Sequence, residues 1–335
     1  MSFAYTAKME VLNNKIENDC CSIAFLSAII KTAGEISLDS QHNLKVEILT
    51  ELESLFERID SVIFQYYGKN CTLSKIEDVD IVKVPRYKIT LPSEIVDKLL
   101  VDLGIMSVLN GGLNDINETI ANFIIADDCC KRAYVMGAFV GCATSNIRIK
   151  SYSNAVANSS GYHLEFVFSK EKIAEDFLKL LAFFNIRAKK TKRKKSFLVY
   201  IKEYQLICDT LALVGANRAV LELQNEAAIR DLRNNINRQT NCLNANIAKT
   251  VNASVKQLNA IKVIQEEVGL ESLDEELMEL CLIRLANPDE SLENLRKLYK
   301  YNITKSGLNH RFNKLIAKAE QIEKEKNVRP ESVWL

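Results

Sequence analysis

Among the side chains able to do chemistry here, the thiols come first. The chain of 335 residues holds nine cysteines and three histidines. Two cysteine pairs are adjacent, Cys20-Cys21 and Cys129-Cys130. Zinc sites draw four Cys or His ligands from spaced motifs such as Cys-x-x-Cys, and no such spacing occurs. Neighbours in sequence rarely share one ion, so no metal site is expected. The expectation is instead of small, buried, reduced residues. A reactive thiol would need a nearby cation or a helix N-terminus. No catalytic constellation and no cofactor emerge from the pattern.

The second candidate is cationic. From Ser306 onward, Leu308, Phe312, Leu315, Ile316 and Ala319 repeat at the spacing of one helical face. The opposite face carries Lys305, Asn309, His310, Arg311, Lys314 and Lys318, and no acidic residue falls between 294 and 319. A short helix over 291–299 and a turn over 301–304 precede it. Before them, a helix over 274–286 carries Leu277, Leu280, Cys281 and Leu285 on one face and stops at Asn287-Pro288-Asp289. A short helix, a tight turn and a basic helix suit a DNA-binding helix-turn-helix, although generic three-helix bundles share the pattern. Lysines and arginines on such a face would contact phosphates or bases, while Asn309 and His310 would read base edges.

A second basic region lies in mid-chain. The total charge is +1, yet residues 186–265 hold fifteen basic and five acidic residues. Residues 217–269 lack proline and reach a glycine only at the end, as in one long helix or several stacked ones. Within this span Arg233, Arg238 and Lys249 alternate with Asn234, Asn237, Asn241 and Asn246. Such a face would contact phosphates, order an interdomain contact or simply be solvated. Residues 189–195 place six positive charges at a hairpin turn, read as a solvated loop or a phosphate contact.

The elements that position these residues follow from an internal repeat. Both Cys-Cys pairs lead into apolar helices with small residues at matching places, Ser27-Ala28 and Gly137-Ala138. A repeat of this length sets the architecture. After the first helix come a hairpin ending at residues 45–49, a helix over 50–64, strands over 71–76 and 84–91, and a helix from Pro92 to Leu103. After the second come a strand over 162–168, a helix over 170–184, a hairpin over 186–190 and 196–202, and a helix over 203–214. Each half reads αββαββα, and the connection over 104–128, with Gly111-Gly112, looks loose. The expected fold is therefore an α+β duplicated domain over 1–216, with halves at 20–103 and 129–214. A helical linker and an all-α helix-turn-helix domain would fill 217–328. No apolar run reaches membrane-spanning length. The opening residues, Met1-Ser2-Phe3-Ala4-Tyr5, lack a signal peptide's basic start and apolar stretch, so a cytoplasmic location is expected.

The duplicated pattern resembles the LAGLIDADG homing-endonuclease fold. In that family an acidic residue at the end of each paired helix binds the catalytic metal. The aligned positions here are Ala33 and Cys142, neither a hard oxygen ligand. Glu35 lies two residues beyond, rotated around the helix end. The whole chain resembles the WhiA family of bacterial regulators. The residues that carry this are the Cys-Cys helices, Tyr162-His163-Leu164-Glu165, Val214-Gly215-Ala216, residues 233–250, Gly269-Leu270-Glu271-Ser272-Leu273, and Thr304-Lys305-Ser306-Gly307-Leu308-Asn309-His310-Arg311. At residues 140–145 it departs, with Val-Gly-Cys-Ala-Thr-Ser where Leu-Ala-Gly-Gly-Ser is usual. The resemblance implies a nucleoid-associated, non-enzymatic regulator of transcription that binds double-stranded DNA and is linked to sporulation, cell division or chromosome segregation. Two other readings stand beside it. One is a hub whose duplicated domain, net −6 over residues 1–185, binds proteins; the other is an active homing endonuclease.

Overall fold

The computed structural model describes residues 2–16, 18–76, 85–109, 112–113, 116–147 and 161–328. Contacts divide the chain into two compact units, Met1–Ile229 and Arg230–Leu335.

The first unit opens with α1 (Phe3–Asn13), capped by the Ser2 hydroxyl, which accepts from the Tyr5 N–H at 3.2 Å. Its first half then runs α2 (Asp19–Ala33), β1 (Gly34–Leu38), β2 (Leu44–Thr50), α3 (Glu53–Tyr67), β3 (Thr72–Ile76), β4 (Arg86–Thr90) and α4 (Ser93–Asp102). A two-stranded hairpin of β5 (Val108–Leu109) and β6 (Gly112–Leu113) leads out of it. The second half runs α5 (Asp128–Cys142), β7 (Ala143–Ser145), β8 (Leu164–Phe168), α6 (Glu171–Phe183), β9 (Lys189–Arg193), β10 (Ser196–Ile201) and α7 (Tyr204–Leu213). Both halves are αββαββα, as the repeat requires.

The sheets repeat as closely as the helices. Their strand orders are β1-β2-β4-β3 and β7-β8-β10-β9, antiparallel throughout. Even the register is shared. Gly34 pairs with Ile48 and Ile48 with Ile89, while Ala143 pairs with Phe166 and Phe166 with Val199. Alternation puts Ile48, Ile89, Phe166 and Val199 in the core, each with no exposed surface. Phe177 of α6 packs on Phe166 and Phe168, ring centroids 4.7 and 5.1 Å away. Burying each such ring contributes about 1.5–3 kcal/mol.

The first helices of the two halves, α2 and α5, pack against each other along their lengths. Small residues permit it: a Cβ on Gly137 would strike the Phe25 carbonyl oxygen and come within 2.8 Å of the Ala28 Cβ. Beneath α2, the buried Ser27 hydroxyl donates to the Leu103 carbonyl at 2.8 Å.

Several expectations need correction. The helix α1 was not anticipated, although Phe3, Ala7 and Val11 bury one face. Pro92 caps α4 rather than entering it. The basic residues 189–193 form strand β9 rather than the hairpin's turn, and Lys190 pairs with Glu171 and Glu175 at 2.7 and 2.6 Å. The connection over 104–128 is tied down where it is described. Ile105, Ile120 and Ile124 are buried, and a short 3-10 turn spans Asn122–Ile125. Gly111, and residue 84 of the expected strand, lie outside the described residues.

A single helix, α8 (Asn217–Glu267), covers the long stretch without proline. Gly269, at φ 78°, takes the left-handed backbone that turns the chain after it. The second unit continues with α9 (Glu275–Ala286), α10 (Leu292–Leu298) and α11 (Lys305–Val328). Asp274 and Ser291 cap α9 and α10 through side-chain oxygens. Their core gathers Ile261, Ile264, Leu280, Cys281, Leu295, Leu308, Phe312 and Leu315. On α9 the expected apolar face is rotated, for Leu285 is exposed while Arg284 is buried. The Arg284 guanidinium lies 5.4 Å from the Phe312 ring and donates to the carbonyls of Asn287, Pro288 and Glu290, holding the α9–α10 loop.

Candidate nucleic-acid interface

Helix α10, a turn over 299–304 and α11 form a helix-turn-helix. The turn is fixed at both ends. Buried Tyr299 donates its hydroxyl to the Glu276 carbonyl at 2.9 Å. The Thr304 hydroxyl accepts from the Gly307 N–H at 3.1 Å, capping α11. Leu308, Phe312, Leu315 and Ala319 bury the inner face of α11. The outer face is thereby determined, and it carries Lys305, Ser306, Asn309, His310, Asn313 and Lys314, all exposed. Two lysines, two amides, an imidazole and a hydroxyl make a donor-rich surface without a carboxylate. The first-turn amides that Thr304 does not cap add partial positive charge, which favours phosphate.

Not every expected residue belongs to that face. Arg311 is half-buried, ion-paired with Glu276 of α9 and stacked 5.5 Å from the Tyr299 ring. Lys318 is half-buried too, donating to the Ser272 carbonyl at 3.4 Å. Both tie α11 to its own bundle. Asn313, one turn beyond Asn309, was missed; the i, i+4 spacing would have found it.

On α8, Arg233, Arg238 and Lys249 are exposed, as are Asn234, Asn237, Asn241 and Asn246. The same stretch exposes Leu232, Ile236, Leu243, Ile247 and Val251, an apolar stripe that the polar density concealed.

The ends of α2 and α5 are the other place to look for chemistry. Ala33 and Cys142 are the last residues of these helices. The Cys142 thiol donates to the Ala138 carbonyl at 3.3 Å, and burial pushes it up to about 12. A cleft of about 470 Å³ lies beside them, lined among others by Lys8, Glu51, Arg86, Gly141 and Thr144. Lys8, from α1, faces Cys142 and Glu51, and burial lowers its pKa. An alanine and a protonated thiol at the two helix ends, with Lys8 and Arg86 beside the one carboxylate of Glu51, do not fit a hard divalent cation, which needs several carboxylate oxygens. Glu35 is not among the residues lining that cleft; it lies on β1, opposite Glu47 of β2.

Residues 19–106 match the WhiA N-terminal LAGLIDADG-like domain, 131–233 the WhiA LAGLIDADG-like domain, and 236–319 the WhiA C-terminal HTH domain. A probable cell division protein WhiA from Clostridium acetobutylicum is 34% identical over 327 residues, 97% of this chain and 99% of its own. The chain belongs to the WhiA family. A second WhiA, from Clostridium botulinum strain Hall, is 36% identical, with 96% of this chain and 99% of its own covered. The crystal structure of full-length WhiA from T. maritima aligns with a TM-score of 0.53 at 25% identity, covering 94% of this chain and 96% of that one. The duplicated LAGLIDADG-like fold with its helical HTH region is thus shared across the family. Where this WhiA chain departs from the usual sequence, Gly141 packs so closely on Thr32 that a Cβ there would strike the threonine hydroxyl. Among the described residues, no helix is long and apolar enough to cross a membrane.

Proposed function

We propose that this WhiA-family protein is a sequence-specific DNA-binding transcription regulator acting in cell division, without nuclease activity. The carboxylate-free outer face of α11 carries the reading. Lys305, Lys314 and the first-turn amides, with Ser306, would grip phosphates. Asn309, His310 and Asn313 would meet base edges, where an asparagine pairs bidentately with adenine. Lys318 would leave its Ser272 carbonyl to reach a flanking phosphate, and Arg311 would position α11 rather than touch DNA. Arg233, Arg238 and Lys249 of α8 are a second set of phosphate contacts in this reading. The division of labour would be a duplicated scaffold over 1–216 and a helical DNA-binding part over 217–328. The names of the curated relatives support the cell-division assignment; sporulation and chromosome segregation are further processes to score.

Chromatin immunoprecipitation with sequencing tests this directly. One recurring motif near cell-division genes is expected, and enrichment without a motif would refute sequence-specific regulation. Purified protein incubated with supercoiled plasmid and Mg²⁺ should leave it uncut, because neither helix end supplies a carboxylate. Cleavage that disappears in Glu35→Gln would reinstate a nuclease.

A further inference from the structure

The two cysteine pairs, 109 residues apart in sequence, meet in space. The sulfurs of Cys20, Cys21, Cys129 and Cys130 all lie within 4.8 Å of one another. Adjacent cysteines were expected not to share a site, because one helix cannot wrap both around an ion by itself. The duplication removes that obstacle: each half supplies two thiols, and the close packing of α2 on α5 brings the pairs together.

We propose that these four thiols form a tetrathiolate site for one soft divalent metal ion of the zinc class, clamping the two halves of the duplicated domain. Zinc–sulfur bonds of about 2.3 Å in a tetrahedron require sulfur–sulfur edges of about 3.8 Å. The Cys129 and Cys130 sulfurs are 3.9 Å apart. The remaining edges, none beyond 4.8 Å, need only a modest contraction. An all-sulfur set selects zinc-like ions over Mg²⁺ or Ca²⁺.

The surroundings agree. Both pairs occupy the first turn of their helices, α2 from Asp19 and α5 from Asp128. Two helix N-termini therefore converge on the site and offset the net −2 charge of a tetrathiolate around a divalent ion. Cys20 and Cys129 are exposed and Cys21 and Cys130 buried, so an ion can enter from solvent and finish against the core. Binding moves no electrons. The ion takes four thiolates, and four protons leave to solvent. A disulfide fits less well: bonds of about 2.05 Å would split the group into two pairs, whereas one ion at the centre satisfies all four sulfurs.

Cobalt(II) provides the test, on the full chain, reduced and stripped of metal with a chelator. One Co²⁺ per chain is expected, with the sulfur-to-cobalt charge-transfer and intense ligand-field bands of tetrahedral thiolate coordination. Added Zn²⁺ should bleach those bands and raise the melting temperature. Cys20→Ser combined with Cys129→Ser, both exposed and so compatible with folding by circular dichroism, should lose the bands. Cys242→Ser, on α8, should keep them. Absence of thiolate–cobalt bands in the reduced wild type, or their persistence in the double variant, overturns the proposal. So does a chain that takes up no cobalt and loses four titratable thiols in air, which would make the cluster a pair of disulfides.

Discussion

Arg311 on α11 and Glu276 on α9 form an ion pair that locks α11 to its bundle, with the guanidinium 5.5 Å from the Tyr299 ring. The arginine side chain is 23% exposed and the glutamate 43%. Water therefore screens the glutamate more than the arginine. Removing the arginine deletes a charge-assisted hydrogen bond and the packing of a flat cation on a ring.

Arg311→Ala is accordingly expected to destabilise the second unit by about 1–2 kcal/mol, less than a fully buried pair would lose. Urea unfolding of the full chain, followed at a probe in this unit, measures it. Arg311→Lys should recover part of the loss, since the ammonium keeps the charge but not the fork. The salt dependence of DNA binding should keep its slope in both variants. A slope reduced by about one unit would place Arg311 on a phosphate instead.

Lys305 and Lys314 should behave oppositely. Each alanine variant should leave stability within about 0.5 kcal/mol of wild type, as exposed substitutions do. Each should weaken binding to all DNA sequences and lower the salt slope by about one unit. Asn309→Ala and Asn313→Ala should instead relax preference at one base pair each, at about 1–3 kcal/mol for a bidentate contact. Fluorescence anisotropy on operator and single-base variants separates these outcomes. Unchanged affinity in all four would move recognition to the arginines of α8.

The sequence already displayed the duplication and the αββαββα order of each half, and it allowed a single long α8 beside several stacked helices, because periodicity and breakers act locally. It displayed the inner face of α11 for the same reason. What it hid depends on partners distant in the chain. Arg311 sits on the polar side of its helix by spacing, yet Glu276 and Tyr299 draw it inward. Arg284 takes a core position that the neighbouring Leu285 was expected to share, since three loop carbonyls need its donors. The cysteine pairs looked unremarkable until α2 met α5. The helix α1 escaped notice because only four of its eleven residues are buried.

Gly137 tests the packing at the heart of the duplication. Its Cα faces the backbone of Phe25 on α2, and a methyl group there has only the Phe25 carbonyl and Ala28 to push against. Neither is the end of a flexible side chain, so the helices must separate. Gly137→Ala is expected to cost about 1–3 kcal/mol, although alanine is intrinsically the better helix former by about 1 kcal/mol. Thermal denaturation is the check; a stabilised variant would mean that α2 and α5 are not in close contact at this turn.

Lys31, in the last turn of α2, gives the first unit a distinctive response to alkali. Its ammonium donates to the Asn117 carbonyl at 2.9 Å and to that of Thr119. Burial lowers its pKa from 10.5 to about 8, against the opposing pull of Asp176. Below that value the lysine is charged in both folded and unfolded chains, and the cost of burying the charge is borne in full. Between pH 8 and 10.5 the unfolded chain holds more protons on this group than the folded one, so its contribution to stability rises with pH. Cysteines and tyrosines titrate in the same range and pull the other way, so the measurement is a difference. Unfolding free energy of wild type minus that of Lys31→Met should be flat from about pH 6 to 7 and climb above about pH 8, where the shared groups cancel. A difference that stays level to pH 10 would mean that the ammonium is as well solvated in the folded protein as in the unfolded chain.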